Sequence, residues 1–176
     1  MADHEIILEA LQVLEAMTKE VEHGKDVDFN DIRSLLGFLR EFADGSHHVK
    51  EEAILFPALI HAGMTLHEGP LRVMTYEHER GRSLTAAMED ALARTRKDDF
   101  VMYARRYIEL LRDHIEKENY VLFEMADRAL SDEEDETLAE AMEEFESTTV
   151  GVQTQDRLHR TIENLASRYL AAAISM

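Results

Sequence analysis

Cysteine and tryptophan are absent from this 176-residue chain, and proline occurs only twice. Without cysteine there is no disulfide, no thiolate zinc site, no iron–sulfur cluster and no cysteine nucleophile. Seven glycines, two prolines and 7% aromatics, beside nine methionines, predict an all-helical chain. No apolar run approaches about 18 residues, so no membrane span is expected. The start is acidic, no signal peptide is expected, and a cytoplasmic location is the default. Positive charge is also scarce, with 19 Lys and Arg against 37 Asp and Glu and a formal net charge of −18. That balance argues against nucleic acid and anionic membranes as partners. The length suits one domain over residues 1–176 with a sizeable core.

What the chain does carry is a repeated motif. His47, Glu51 and Leu55-Phe56 recur at the same spacing as His114, Glu118 and Leu122-Phe123. Residues four apart on a helix lie one above the other on the same face. Each copy therefore offers one nitrogen and one oxygen ligand side by side. His48 and Glu52 share the four-residue step, but only His47 and Glu51 keep the second copy's distance to Leu-Phe. Two matched His-Glu helices suit two metal ions.

Hydrophobic periodicity places these motifs on helices. Residues 3–23 carry His4, Ile7, Leu11, Leu14, Thr18 and Val21 on one stripe, ended by Gly24. Asp28 is the expected N-cap of a helix to about Ala62, with Leu36, Leu39, Ala43, His47, Glu51 and Ile54 inward. Gly45 and Pro57 are expected to weaken or bend it. Pro70 opens a third helix with Met74, His78, Gly81, Thr85, Met88 and Leu92 on one face. A fourth, from about Asp99 to Leu130, carries Ala104, Ile108, Leu111, His114, Glu118, Leu122 and Met125. Ser131 and Glu134 form a capping box for a very acidic fifth helix, with Leu138, Met142 and Phe145 expected to pack inward. A break at residues 148–151 precedes a last helix ending near Tyr169.

Short connections force neighbouring helices antiparallel, so residues equidistant from a turn share one height. His4 and the His47/Glu51 pair are nearly equidistant from a turn near Asp26, and His78 and the His114/Glu118 pair from a turn near Lys97. The longer middle loop leaves the two halves unaligned. A lone histidine on an apolar stripe is ordinarily a satisfied core residue. Four histidines and two carboxylates buried together without a cation would instead cost several kcal/mol, about 3–5 for each unpaired buried charge. Imidazole with carboxylate suits iron, zinc, manganese or copper. A carboxylate can bridge two ions and an imidazole cannot, which makes Glu51 and Glu118 the bridges and His4, His47, His78 and His114 the terminal ligands.

These residues resemble the hemerythrin-like, or HHE cation-binding, family. The resemblance rests on Asp3-His4, on His47 and Glu51 followed by Leu55-Phe56-Pro57, on Glu77-His78-Glu79-Arg80-Gly81-Arg82, and on His114 and Glu118 followed by Leu122-Phe123. It covers about residues 1–130; the remainder, about 131–176, is similar to a C-terminal helical extension in one bacterial subgroup. It implies an antiparallel up-down four-helix bundle holding two non-haem iron ions with an oxo or hydroxo bridge. It also implies an open iron position for O2, peroxide or nitric oxide. Oxygen-carrying members have two histidines four apart on the third helix, whereas here Met74 and Arg82 flank His78. The missing nitrogen falls to His48, with Glu77, Tyr76 and Glu52 as the other candidates. Arg82 is expected to pair with a carboxylate or line the channel. His23, His61, His67 and His159 are read as surface or packing residues.

The expected function is binding or sensing of O2 or a related small ligand such as NO or H2O2. The alternative is a di-iron enzyme of oxidative or nitrosative stress defence, with Tyr76, Tyr107 or Tyr120 as proton donor. Iron storage ranks last, because its paired Glu-x-x-His motif occurs here only once, at Glu20–His23. A homodimer is the one protein partnership expected.

Overall fold

The computed structural model describes residues 2–171, all helix and turn, with no strand among the described residues. Six helices follow in order. Helix α1 is Ala2–Glu22. Helix α2, residues 29–61, runs from Phe29–Phe38 through π-helical turns at Leu39–His48 and Glu51–Leu55 to Phe56–His61. Helix α3 is Gly69–Ala93. Helix α4, residues 97–129, joins Lys97–Lys117, a π-turn at Glu118–Leu122, and Phe123–Ala129. Helix α5 is Asp132–Phe145 with a final π-turn at Glu146–Val150, and α6 is Val152–Tyr169.

The boundaries have local causes. Gly24 at φ 72° ends α1, with its own N–H bonded to Val21 O and that of Lys25 to Glu20 O. The Asp28 carboxylate accepts the Asn30 N–H at 2.8 Å, capping α2. Ser131 and Glu134 complete a reciprocal capping box at α5. The expected break at residues 148–151 narrows to Gly151, at φ 76°, because the preceding residues continue as a π-turn.

Gly45 and Pro57 do not interrupt α2; the helix absorbs them by widening. Phe56 N–H reaches back five residues to Glu51 O, and Phe123 N–H makes the same bond to Glu118 O. Each wide turn accommodates one extra residue and rotates the buried face. This corrects two expected core positions. Leu55 and Ala126 are buried, while Ile54 is half-buried and Met125 exposed. The repeated motif of the sequence is thus a repeated π-turn, opened in both copies by a glutamate.

Helix α3 packs on α4, α1 on α4 and α6, and α2 on α6 and α3. One large apolar cluster runs from Ile7 to Met17, Leu35 to Ala43, and Leu84 to Leu111, and is completed by Leu158, Ile162 and Leu165 of α6. Burying each such side chain fully contributes about 1.5–3 kcal/mol. A smaller cluster gathers Leu55, Phe56, Leu59, Leu71, Met74, Leu122 and Ala126, with Leu138 and Met142 of α5 laid against it. Helix α5 has no fully buried residue, so Leu138, Met142 and Phe145 cover rather than fill. Between the two clusters, along α1 to α4, lies a layer of buried polar side chains.

Candidate metal centre

The layer contains His4, His47, His48, Glu51, His78, His114 and Glu118, each at most 5% exposed. His4 Nε2 lies 3.2 Å from His47 Nε2, and His78 Nε2 lies 3.2 Å from His114 Nε2. Each half of the chain therefore brings its own histidines to one level. The carboxylates join the halves. Glu118 Oε2 is 3.2 Å from His4 Nε2 and Oε1 is 3.0 Å from His114 Nε2. Glu51 Oε1 is 3.8 Å from His47 Nε2 and Oε2 is 3.4 Å from His78 Nε2. Two four-residue groups result, His4/His47/Glu51/Glu118 and Glu51/His78/His114/Glu118, sharing both glutamates. In each group the donor atoms lie within 4.8 Å of one another.

The outer nitrogens explain why the inner ones could hold a cation. His4 Nδ1 meets Asn119 Oδ1 at 2.9 Å, His47 Nδ1 meets Asp3 Oδ2 at 3.3 Å, and His78 Nδ1 meets Glu52 Oε1 at 2.8 Å. His114 Nδ1 meets Glu77 Oε2 at 3.0 Å. All four partners are acceptors, so each Nδ1 donates, and a neutral imidazole then has only a lone pair on Nε2. Paired Nε2 atoms at 3.2 Å would turn lone pairs toward each other. Glu51 Oε2 and both Glu118 oxygens are buried with no hydrogen-bond partner. Converging lone pairs and orphan carboxylate oxygens are what a cation satisfies. Without one, protons must substitute. Burial lowers the pKa of His78, but Glu118 and Glu51 outweigh it and raise it to about 9. Burial likewise opposes protonation of His47 and His114, and neighbouring carboxylates again raise both.

A further set of ions holds the outer acceptors. Lys50 Nζ bonds Asp3 Oδ2 at 2.8 Å and also pairs with Glu146 of α5. Arg82 donates to Glu52 Oε1 at 3.1 Å, the carboxylate pairing expected of it. Lys117 pairs with Glu77. Burial would raise the Asp3 pKa, but hydrogen bonds from His47 and Lys50 prevail and hold it well below the usual carboxylate range.

His48 stacks on His78 with ring centroids 4.0 Å apart and forms a third group with His78 and His114. Its Nδ1 lies 3.1 Å from Asp44 Oδ1, while its Nε2 is buried with no partner. Burial first, then His78, His47 and His114, drives its pKa well below the ordinary value, leaving a neutral donor. The other candidates for the missing nitrogen are engaged or remote. Glu52 and Glu77 each hold a histidine from outside, and Tyr76 is 63% exposed. Asp44 was not singled out in the sequence, although it stands four residues before His48; burial raises its pKa to about 6. Asn119 and Lys50 were also missed.

Of the tyrosines, Tyr120 is 69% exposed, while Tyr107 is fully buried with no hydrogen-bond partner for its hydroxyl. His23, His61, His67 and His159 are exposed, and the His23 ring bonds the Lys19 carbonyl rather than Glu20. A cavity of about 220 Å³ reaches His4, His47 and Glu51 from the side covered by α5. No helix among the described residues is long and apolar enough to cross a membrane.

A family model described as the Hemerythrin HHE cation binding domain matches residues 1–126. No curated protein and no solved structure matches the chain.

Proposed function

The chain belongs to the hemerythrin HHE cation-binding family, and from that footing we propose that it is a non-haem di-iron protein that binds or senses dioxygen or a related small ligand such as NO or peroxide. The observation that carries the reading is the orphaned set of inward atoms, Glu51 Oε2 and both Glu118 oxygens, between two facing imidazole pairs. In this reading α1 to α4 form an antiparallel four-helix bundle around the centre, with α5 and α6 as its extension.

One ion would be held by His4 and His47, the other by His78 and His114 with His48 as its additional nitrogen, and Glu51 and Glu118 would bridge them. Iron bound there supplies a redox-active Lewis acid. The protein's own part is orientation and basicity. Asp3, Glu52, Glu77 and Asn119 fix each ring through Nδ1, and carboxylate partners strengthen the donor nitrogen. The His4/His47 side carries two nitrogens and faces the 220 Å³ cavity, which favours small-ligand access from that side.

A second reading, an enzyme of oxidative or nitrosative stress defence, gains from Asp44. Burial raises the pKa of this carboxyl to about 6, so it can hold a proton beside His48 in weakly acidic solution. Anaerobic loading with ferrous iron, followed by admission of oxygen, tests both readings. About two irons per chain and a spectrum reversible on deoxygenation support binding or sensing. Irreversible oxidation, with peroxide or NO turnover, supports the enzyme. A chain that takes up fewer than two metals refutes the dinuclear centre.

A further inference from the structure

We propose that divalent cations enter the centre through the cleft beneath α5, handed inward by an exposed carboxylate pair, Asp127 of α4 and Asp135 of α5. The inference rests on the dinuclear reading above and concerns the route rather than the site.

The cavity of about 220 Å³ has His4, His47 and Glu51 among its lining residues and Asp127 and Asp135 at its solvent side. Both aspartates are exposed, and among the described residues no cation pairs with either. At the other end Glu51 is 2% exposed, and its Oε2 has no hydrogen-bond partner. A cation leaving these aspartates therefore meets Glu51, a lining residue of the same cavity, whose Oε1 faces His47 and whose unpartnered Oε2 faces His78 beyond it. The one cation lining the passage, Lys50, is held between Asp3 and Glu146 and so leaves little uncompensated positive charge. The space is adequate: a cation with about six waters occupies on the order of 200 Å³, at ~30 Å³ of liquid per water.

The pocket on the opposite flank, lined by Glu52, Tyr76 and Glu79, has none of the inward histidines or Glu118 in its lining. His78, His114 and Glu118 are at most 1% exposed there. The outer carboxylates on that side, Glu52 and Glu77, are paired with Arg82 and Lys117. Glu52 and Glu77 are thus already neutralised, while the α5 side offers unpaired negative charge within the roughly 10 Å range of electrostatic guidance at 0.1 M salt. Asp135 stands in the acidic first turn of α5 beside Asp132, Glu133 and Glu134, so that helix supplies half of the entrance.

Metal-free full-length protein mixed with cobalt(II) in a stopped-flow instrument tests the route through the visible absorbance of the bound ion. The Asp127→Asn/Asp135→Asn variant should take up cobalt about five- to tenfold more slowly at low salt, with the gap closing at high salt. Its final cobalt content should equal that of the unaltered protein. Asp26→Asn/Asp98→Asn, removing two exposed charges at the far helix ends, should load at the unaltered rate. Equal rates in all three, equal slowing in both variants, or a reduced final content in the first would each overturn the route. The end point of the unaltered chain judges the dinuclear centre separately, since the rate comparison applies to whatever cobalt enters.

Discussion

Glu118 Oε2 lies 3.2 Å from His4 Nε2, while its other oxygen lies 3.0 Å from His114 Nε2. One carboxylate thus joins the first helix to the fourth across the layer that separates the two apolar clusters. Glu51 does the same from α2, between His47 and His78. Both begin a π-turn, and both have an oxygen without a hydrogen-bond partner.

Removing one proposed bridge or one proposed terminal ligand should empty the centre. Glu51→Ala and His114→Ala are each expected to lose most bound metal and to melt well below the loaded parent, because metal binding and folding are coupled. Metal analysis beside thermal melts reads both effects, and parental metal content in both variants would dispose of the site.

His48→Ala should change the spectrum of the iron-loaded protein without emptying it, since six other donors remain. A spectrum superimposable on the parent's would return His48 to the role of a packing residue.

The outer acceptors should act on one ion each. Asp3→Asn leaves the His47 ring in place but weakens its basicity, and is expected to lower affinity about 10–100-fold for one metal of the pair. Glu52→Gln should do the same for the other through His78. Stepwise titration with cobalt separates them; equal weakening of both steps in both variants would contradict the assignment.

Without metal, stability should fall with rising pH. His78, at about 9, and His47 and His114, both raised, hold their protons more tightly folded than unfolded. For His78 that stabilisation is complete below the unfolded value near 6.5 and is lost as pH climbs through about 9; for His47 and His114 it is likewise lost as pH climbs above 6.5. Melts of the metal-free protein between pH 6.5 and 9 should therefore decline, while the loaded protein, which has exchanged those protons for cations, should not. A metal-free melting temperature that rises over this interval would contradict the protonation account.

Ser131→Ala should destabilise the start of α5 by about 1 kcal/mol through loss of the capping box. Hydrogen exchange is the appropriate reading, with faster exchange confined to α5; uniform acceleration across α1 to α4 would show that α5 is not an independent cover.

The sequence by itself determined the helices and the heights of the candidate ligands. Stripes with steps of three and four place His4, His78 and His114 on buried faces, and equidistance from short turns pairs His4 with His47 and His78 with His114. These are local facts, set by helical period and loop length. Tertiary structure decided what lay beyond one turn. The loop between α2 and α3 gives no register, so only the packed chain brings Glu118 to His4 and Glu51 to His78. The π-turns that exchange Ile54 for Leu55 and Met125 for Ala126 depend on an i→i+5 bond that a 3.6-residue period does not anticipate. The outer partners, Asn119 for His4 and Lys50 with Asp3 for His47, come from different helices and become neighbours only when α1, α2 and α4 meet.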